Sequence, residues 1–214
     1  MVLKNKSRYT NKNIKPIFTI IFALTAAISL AGCGQISEGI QVGQTKVSVS
    51  QIQKSIDEIL KERKTVDTSQ MQLLFGADLA RSQAQLEIRS LVIDQVAQEK
   101  KVQITQSDLE QRKSQIETRL SDQGATLKTA LVGASLGSSN LDKFLKIILV
   151  SEKLSDQLKA AGIPDAQLES EVSKIMGQTS KNLKVNVNPR YGKWNFETAS
   201  IEAVDNTLGA VVNR

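Results

Sequence analysis

The chain has 214 residues, with 28 basic and 22 acidic side chains, one cysteine and no histidine. This length suffices for one ordinary domain with targeting and tail segments. Without histidine, Ser-His-Asp and Cys-His catalysis are excluded, and a zinc site lacks its commonest ligand. We therefore expect no resident metal and no catalytic residues of these classes, and a single cysteine excludes an internal disulfide.

The basic excess lies at the amino-terminal end, before the first apolar run. Five basic residues and no acid occupy the first 15 positions, which leaves 23 basic against 22 acidic residues in the rest of the chain. A nucleic-acid-binding protein needs its positive charge on the binding surface, where counterion release supplies affinity. We therefore predict no nucleic-acid partner and assign the basic charge to targeting.

The first 32 residues have the pattern of an export signal, a basic segment followed by an apolar run of 14 residues that ends at Leu30. A helix of that length spans about 21 Å, short of the roughly 30 Å hydrocarbon core of a bilayer. Leu30-Ala31-Gly32-Cys33 resembles the lipobox of bacterial lipoproteins. In those proteins the cysteine thiol is acylated and the chain is then cut before the cysteine.

The lipobox resemblance implies that Cys33 carries a diacylglycerol and a fatty acyl group such as palmitate. Residues 33–39 would then be a lipidated tether, and the rest of the chain would lie at the extracytoplasmic face of a bacterial cell membrane. More than one acyl chain is needed for stable anchoring, because a single chain binds a membrane reversibly. The alternatives are a plain signal peptide with an incidental cysteine and an uncleaved membrane anchor.

Hydrophobic periodicity predicts a mainly α domain over residues 40–194, with a small strand pair formed near its two ends. Alternating apolar residues over 40–49 predict a hairpin. Ser48 and Gln51 form a Ser-x-x-Gln capping box, which predicts that a helix begins there and continues to about Lys64.

A long second helix is predicted from about Gln70 to Lys101, central and buried on several sides. A cap at Thr105 predicts a third helix. The small and polar stretch 124–140 indicates a mobile loop or a broken helix. Further helices are predicted over 141–160 and after Pro164.

The last predicted element is a strand around Val185 and Val187. The tail, residues 195–214, shows no clear period and is expected to be partly disordered. Acidic residues of the helices lie one turn from lysines and arginines, which is typical of a solvated face. There is no Gly-rich phosphate loop, no Gly-x-Ser-x-Gly and no Cys-x-x-Cys, so we predict that the protein is not an enzyme.

The order of the elements resembles the N-terminal chaperone domain of SurA, which is shared in outline with PrsA-type foldases and trigger factor. The residues that carry the resemblance are 41–64, the helix 70–101, VQITQSDLE at 102–110, the helix 144–158 and NPRYGKW at 188–194. The resemblance covers about residues 41–194. It implies a multi-helix SurA N-terminal-like domain.

The relatives of this family carry a parvulin prolyl-isomerase domain, whose sites generally use a pair of histidines. This chain has no histidine, and the stretch 158–188 is far too short to hold such a domain. The resemblance therefore implies a holdase without prolyl-isomerase activity, which binds unfolded or newly exported proteins through apolar surface.

Such binding needs apolar side chains beyond those that one core stripe requires. The candidates for contact with client proteins are Met71, Leu74, Phe75, Leu131, Leu136, Phe144 and Met176. For each of these residues, ordinary core packing is the competing interpretation. Two further hypotheses remain for the whole protein: a scaffolding envelope lipoprotein that docks one specific protein, and an enzyme that uses carboxylates or lysines alone.

Overall fold

A computed structural model describes residues 38–204, which form six α-helices, one 3-10 turn and five short strands. The helices are α1 Val49–Arg63, α2 Gly76–Glu99, α3 Gln106–Asp122, α4 Leu127–Gly133, α5 Leu141–Ala160 and α6 Asp165–Asn182. The strands are β1 Glu38–Val42, β2 Thr45–Ser48, β3 Asn186–Val187, β4 Lys193–Asn195 and β5 Ser200–Glu202. The prediction of a mainly α domain is confirmed. Several predictions fall outside the described residues. They are the predicted signal peptide, the lipobox residues Leu30, Ala31 and Gly32, the predicted acylation site Cys33, the tether up to residue 37 and the tail from 205.

The two ends of the domain meet in a three-stranded antiparallel sheet of order β2-β1-β3. Ile40 in the central strand lies opposite Val47 of β2 on one side and Val187 of β3 on the other. The backbone N–H of Gly43, in the hairpin turn, donates to the Leu183 carbonyl at the end of α6 over 2.7 Å. The predicted strand pair near the two ends of the domain is therefore confirmed.

Helix α1 begins with the capping box that the sequence indicates. The Ser48 hydroxyl accepts from the Gln51 backbone N–H at 3.2 Å, and the Gln51 side chain accepts from the Ser48 backbone N–H at 2.8 Å. These two bonds satisfy two of the N–H groups that have no partner within the helix. Ile52 and Ile59, seven positions apart on one face, are fully buried. The helix therefore packs on the core through this face.

Helix α2 is the central helix, but it begins at Gly76 and the predicted start near Gln70 is wrong. Phe75 has an extended backbone, and Gly76 has a φ of +50°, so a regular right-handed helix does not run through these positions. The backbone N–H groups of Asp78 and Leu79 donate to the Phe75 carbonyl. The buried residues of α2 cover several faces, as predicted, and the fully enclosed ones are Ala84, Ile88, Val92, Ile93 and Val96.

The stretch 124–140 is a broken helix and not a loop. It contains α4 and the 3-10 turn Ser138–Asn140. Leu131 and Leu136 are buried together with Leu141 and Leu145 in a small second core cluster. Backbone N–H groups of the 3-10 turn donate to the carboxylates of Glu58 and Glu62 on α1. The mobile-loop interpretation is wrong, because the leucines of this stretch are buried in the same cluster as leucines of α5.

Helix α5 has the predicted bounds, and α6 begins after Pro164 as predicted. Phe144 of α5, for which core packing was the competing interpretation, is 38% exposed. Gly177 of α6 lies against the turn between β4 and β5, where a Cβ atom would come within 1.9 Å of the Phe196 carbonyl oxygen. Only a glycine allows this close approach of helix and turn.

Regular structure continues beyond residue 194, where the sequence predicts the start of an aperiodic tail, as far as β5. Strands β4 and β5 form an antiparallel hairpin with Trp194 opposite Ile201, and both side chains are buried. The Trp194 indole N–H donates to the Ser180 hydroxyl at 3.1 Å. Strands of three residues are too short to show the alternation on which a sequence prediction depends.

Candidate binding groove

A groove of about 940 Å³ lies between α2, α5, α6 and the turn between β4 and β5. Its lining residues recur every three or four positions along α5 and α6, which places one face of each helix on the groove. On α5 they are Phe144, Ile147, Ile148, Ser151, Glu152, Ser155 and Asp156, and on α6 they are Asp165, Leu168, Glu169, Val172, Ser173 and Met176. We call this the α5–α6 groove.

The floor of the groove is apolar. Its apolar side chains are Leu86, Leu136, Phe144, Ile147, Ile148, Leu168, Val172 and Met176. Phe144, Ile148 and Leu168 are partly accessible to solvent, and within the described residues none of the three packs against either core cluster. The core therefore does not account for these three side chains.

The hydroxyl groups along the groove mostly donate to the protein's own backbone. Four serine hydroxyls in the lining donate to backbone carbonyl oxygens. They belong to Ser82, Ser151, Ser155 and Ser173, at donor–acceptor distances of 2.8, 2.8, 2.9 and 3.3 Å. A hydroxyl has one proton and two lone pairs, so these groups have only acceptor capacity left for an occupant.

The charged residues of the lining are mainly acidic. Four carboxylates and one guanidinium line the groove: Glu152, Asp156, Asp165, Glu169 and Arg89. Glu152 pairs with Arg112 of α3, and Asp165 pairs with Lys159 over 2.9 Å. Within residues 38–204, Asp156 and Glu169 form no ion pair. Among the described residues these two rim carboxylates have no cation in direct contact, and the pKa of Lys159 is raised first by Asp165 and less strongly by the charge of the nearby Asp156.

A buried polar cluster stands behind one wall of the groove. Arg63 is 8% exposed and donates from Nη2 to the Ser135 hydroxyl at 2.8 Å, while its Nε and Nη1 have no hydrogen-bond partner among the described residues. Burial lowers the pKa of the Arg63 guanidinium. Gln83 is 3% exposed, donates to the Ser135 carbonyl and leaves its own amide oxygen without a donor.

The structure brings three of the seven candidate residues together in the groove, namely Leu136, Phe144 and Met176. Leu136 and Met176 are largely buried, so Phe144 is the one of the three that offers substantial surface. Leu131 is 7% exposed and belongs to the second core cluster, which is the ordinary core role.

The other three candidates lie outside the groove, on the segment between α1 and α2. Leu74 and Phe75 are 41% and 64% exposed, and the Phe75 ring lies 5.0 Å from the Arg63 guanidinium. The Met71 sulfur lies beside Gly133 of α4. These residues were expected on the second helix. Because α2 begins only at Gly76, they lie on the connecting segment before it.

Sequence reasoning missed Ile148 and Leu168 as groove residues. Both fall on apolar helix stripes, whose usual interpretation is core packing. The available signal was an excess of apolar positions on α5, where residues 147–150 are four consecutive apolar side chains and exceed what one core stripe needs.

Comparison with models of protein families, with curated proteins and with solved structures finds no match for this chain. Across residues 38–204, no helix combines the length and the apolar character needed to cross a membrane. In the same part of the chain, no group of three or more acidic or cysteine side chains is placed to hold a metal ion.

Proposed function

We propose that the protein is a membrane-anchored lipoprotein chaperone that binds unfolded segments of exported proteins in the α5–α6 groove. It acts as a holdase, without covalent chemistry and without prolyl-isomerase activity. Its SurA N-terminal-like fold is part of the same proposal, supported by the two capping boxes and by the pairing of the first and last strands of the sheet.

The observation that carries the proposal is the set of three apolar side chains in the groove that the core does not use. Phe144, Ile148 and Leu168 keep solvent-accessible surface in a concave site of about 940 Å³. Concave sites with apolar linings and a few polar groups are the usual place where proteins bind ligands. A groove lined by apolar side chains from two helix faces can accept varied apolar residues, as the adaptable surfaces of promiscuous binders do.

Client binding is tested with a fragment of residues 34–214. All hydrophobic residues that are buried within the described range lie between Ile40 and Ile201, so the fragment keeps the whole core. We expect it to suppress the aggregation of several unrelated unfolded proteins. The double variant Phe144→Ser and Ile148→Ser should lose most of this effect, because it removes apolar surface from the groove without removing core contacts.

The matched control is Leu74→Ser with Phe75→Ser, which removes exposed apolar surface outside the groove. It should retain the suppression of aggregation. Equal loss in the two double variants, with unchanged circular dichroism, would contradict a role for the groove. A prolyl-isomerase assay of the fragment should show no activity above the uncatalysed rate.

The lipid anchor is tested separately. Metabolic labelling with palmitate should mark the full-length protein and leave the Cys33→Ala variant unlabelled. The variant should also leave the membrane fraction if cleavage and anchoring both depend on the thiol. Equal label in the two proteins would refute the assignment of Cys33.

A second candidate function is a scaffolding lipoprotein that docks one specific envelope protein. The exposed Leu74 and Phe75, on a segment apart from the groove, favour this alternative. Saturable binding to a single envelope protein that is lost in the Leu74→Ser and Phe75→Ser variant, together with no effect on aggregation, would support it over the holdase.

A further inference from the structure

We propose that the α5–α6 groove prefers apolar segments that carry a lysine or arginine near the apolar residues. This preference rests on the proposed chaperone function and specifies the chemistry of its clients. The inference comes from the polar groups that surround the apolar floor, most of which are on α2, α5, α6 and the β4–β5 turn.

The first argument is the supply of hydrogen-bond donors and acceptors. The hydroxyl protons of Ser82, Ser151 and Ser155 are bound to backbone carbonyl oxygens. The amide oxygen of Gln83, itself buried in the groove wall, has no donor among the described residues. The Gln83 oxygen is itself enclosed by protein, but the serine oxygens keep lone pairs that can accept hydrogen bonds from the N–H groups of an occupant. The groove therefore favours a donor-rich occupant.

The second argument is charge. The exposed carboxylates of Asp156 and Glu169 form no ion pair within residues 38–204. Arg89 is the one cation among the described residues that line the groove, and it too forms no ion pair within that range, while Arg112 and Lys159 at its edge are bound to Glu152 and Asp165. The unpaired charges of the lining are therefore two carboxylates and one guanidinium, so a positive side chain is favoured over a negative one.

The positions of these groups also define a spacing. Asp156 lies eight residues after Ile148 on α5, which is about 12 Å along a helix at about 1.5 Å per residue. An extended segment advances about 3.3 Å per residue. A client segment that runs along α5 and places an apolar side chain on Ile148 therefore reaches Asp156 with the side chain about four positions further on.

The test uses three fluorescein-labelled peptides that share one apolar cluster and differ at two positions about four residues away. These positions carry lysine, glutamine or glutamate. Binding to the 34–214 fragment is measured by fluorescence anisotropy at low salt and again at 0.5 M salt. We expect the lysine peptide to bind about tenfold more tightly than the glutamate peptide, with the glutamine peptide between them, since an exposed ion pair contributes a few-fold in affinity. High salt should reduce the difference to about twofold or less.

The variant that removes the free carboxylates is Asp156→Asn with Glu169→Gln. It should bring the three affinities within about twofold of one another. The matched control is Glu117→Gln with Asp122→Asn on α3, which removes two exposed carboxylates outside the groove. The control should keep the tenfold preference, and circular dichroism verifies that both variants are folded.

The outcomes separate this inference from the proposed function. Equal affinity of the native fragment for the three peptides would overturn the charge preference and leave the holdase proposal intact. A preference that persists in the Asp156→Asn and Glu169→Gln variant, or that disappears in the control, would also overturn it. Failure of all three peptides to bind, with no suppression of aggregation, would overturn the proposed function itself.

Discussion

The contact of Gly177 with the β4–β5 turn predicts a large effect of adding one methyl group. In Gly177→Ala the new Cβ would lie 1.9 Å from the carbonyl oxygen of Phe196 and 3.1 Å from its carbonyl carbon. Ordinary contact between a methyl carbon and an oxygen is well above 3 Å, so the turn has to move by more than 1 Å. The obstacle is backbone and cannot rotate away as a flexible side chain does.

The size of the effect follows from two opposing contributions. Alanine stabilises a helix interior by about 1 kcal/mol relative to glycine. Overpacking a closely packed site costs about 1–3 kcal/mol and sometimes more, and a backbone obstacle places this site at the upper end. We expect a net destabilisation of about 2 kcal/mol. For a domain of this size, that corresponds to a fall in Tm of about 4–8 °C.

The assay uses the single tryptophan of the chain as a probe. Trp194 is buried beside α6, where its indole N–H donates to Ser180 and the Ser180 hydroxyl donates to the Gly177 carbonyl. Displacement of the turn should shift Trp194 emission to the red, and urea unfolding followed by this emission should show the lower stability.

The control is Gly133→Ala in α4, where the nearest atom to a new Cβ is the Met71 sulfur at 3.9 Å. It should leave Trp194 emission unchanged and should not reduce stability. If Gly177→Ala is as stable as the native protein and keeps its emission spectrum, the close contact between α6 and the turn does not exist as described.

Three further predictions concern the caps and the second core cluster. Ser48→Ala removes one bond of the first capping box and should lower the free energy of unfolding by about 1 kcal/mol in urea titration. The Thr105 backbone N–H, with further help from Lys153 and the Thr105 hydroxyl, holds the pKa of Asp108 below its ordinary value of 3.8. The ionised form is therefore favoured by folding, and its contribution is present above about pH 4 and lost as the pH falls through the lowered pKa. The urea midpoint of Asp108→Asn should accordingly fall less than that of the native protein between pH 7 and pH 3, and an equal fall would contradict this assignment. Leu145→Ala, at a fully buried position, should cost about 2–5 kcal/mol, and a loss below 1 kcal/mol in the same titration would mean that the cluster is not closely packed.

The helix boundaries that depend on local chemistry could be predicted from the sequence. The capping boxes at Ser48 and Thr105 mark the starts of α1 and α3, because each involves residues only three positions apart. The start of α2 could not be predicted in the same way. Met71, Leu74 and Phe75 have helix-like spacing, but the left-handed Gly76 interrupts it, and nothing in the spacing indicates that conformation.

The groove was only partly predictable for a different reason. An excess of apolar residues identifies Phe144 as a candidate, since its position on α5 is visible in the sequence. Whether Ile148 or Leu168 faces the core or the groove depends on how α5 and α6 pack against α2, which is a long-range property. The same packing decides that Glu152 pairs with Arg112 while Glu169 has no such partner between residues 38 and 204.

The central position of β1 has a mechanical consequence for a tethered protein. β1 begins five residues after Cys33, and a chain of that length extends at most about 17 Å. If Cys33 is held in a membrane, a pull on a bound client is resisted through β1. That strand is bonded to β2 on one side and to β3 on the other, so the load passes into the beginning and the end of the domain together. Antiparallel neighbours on both sides of β1 share the shear.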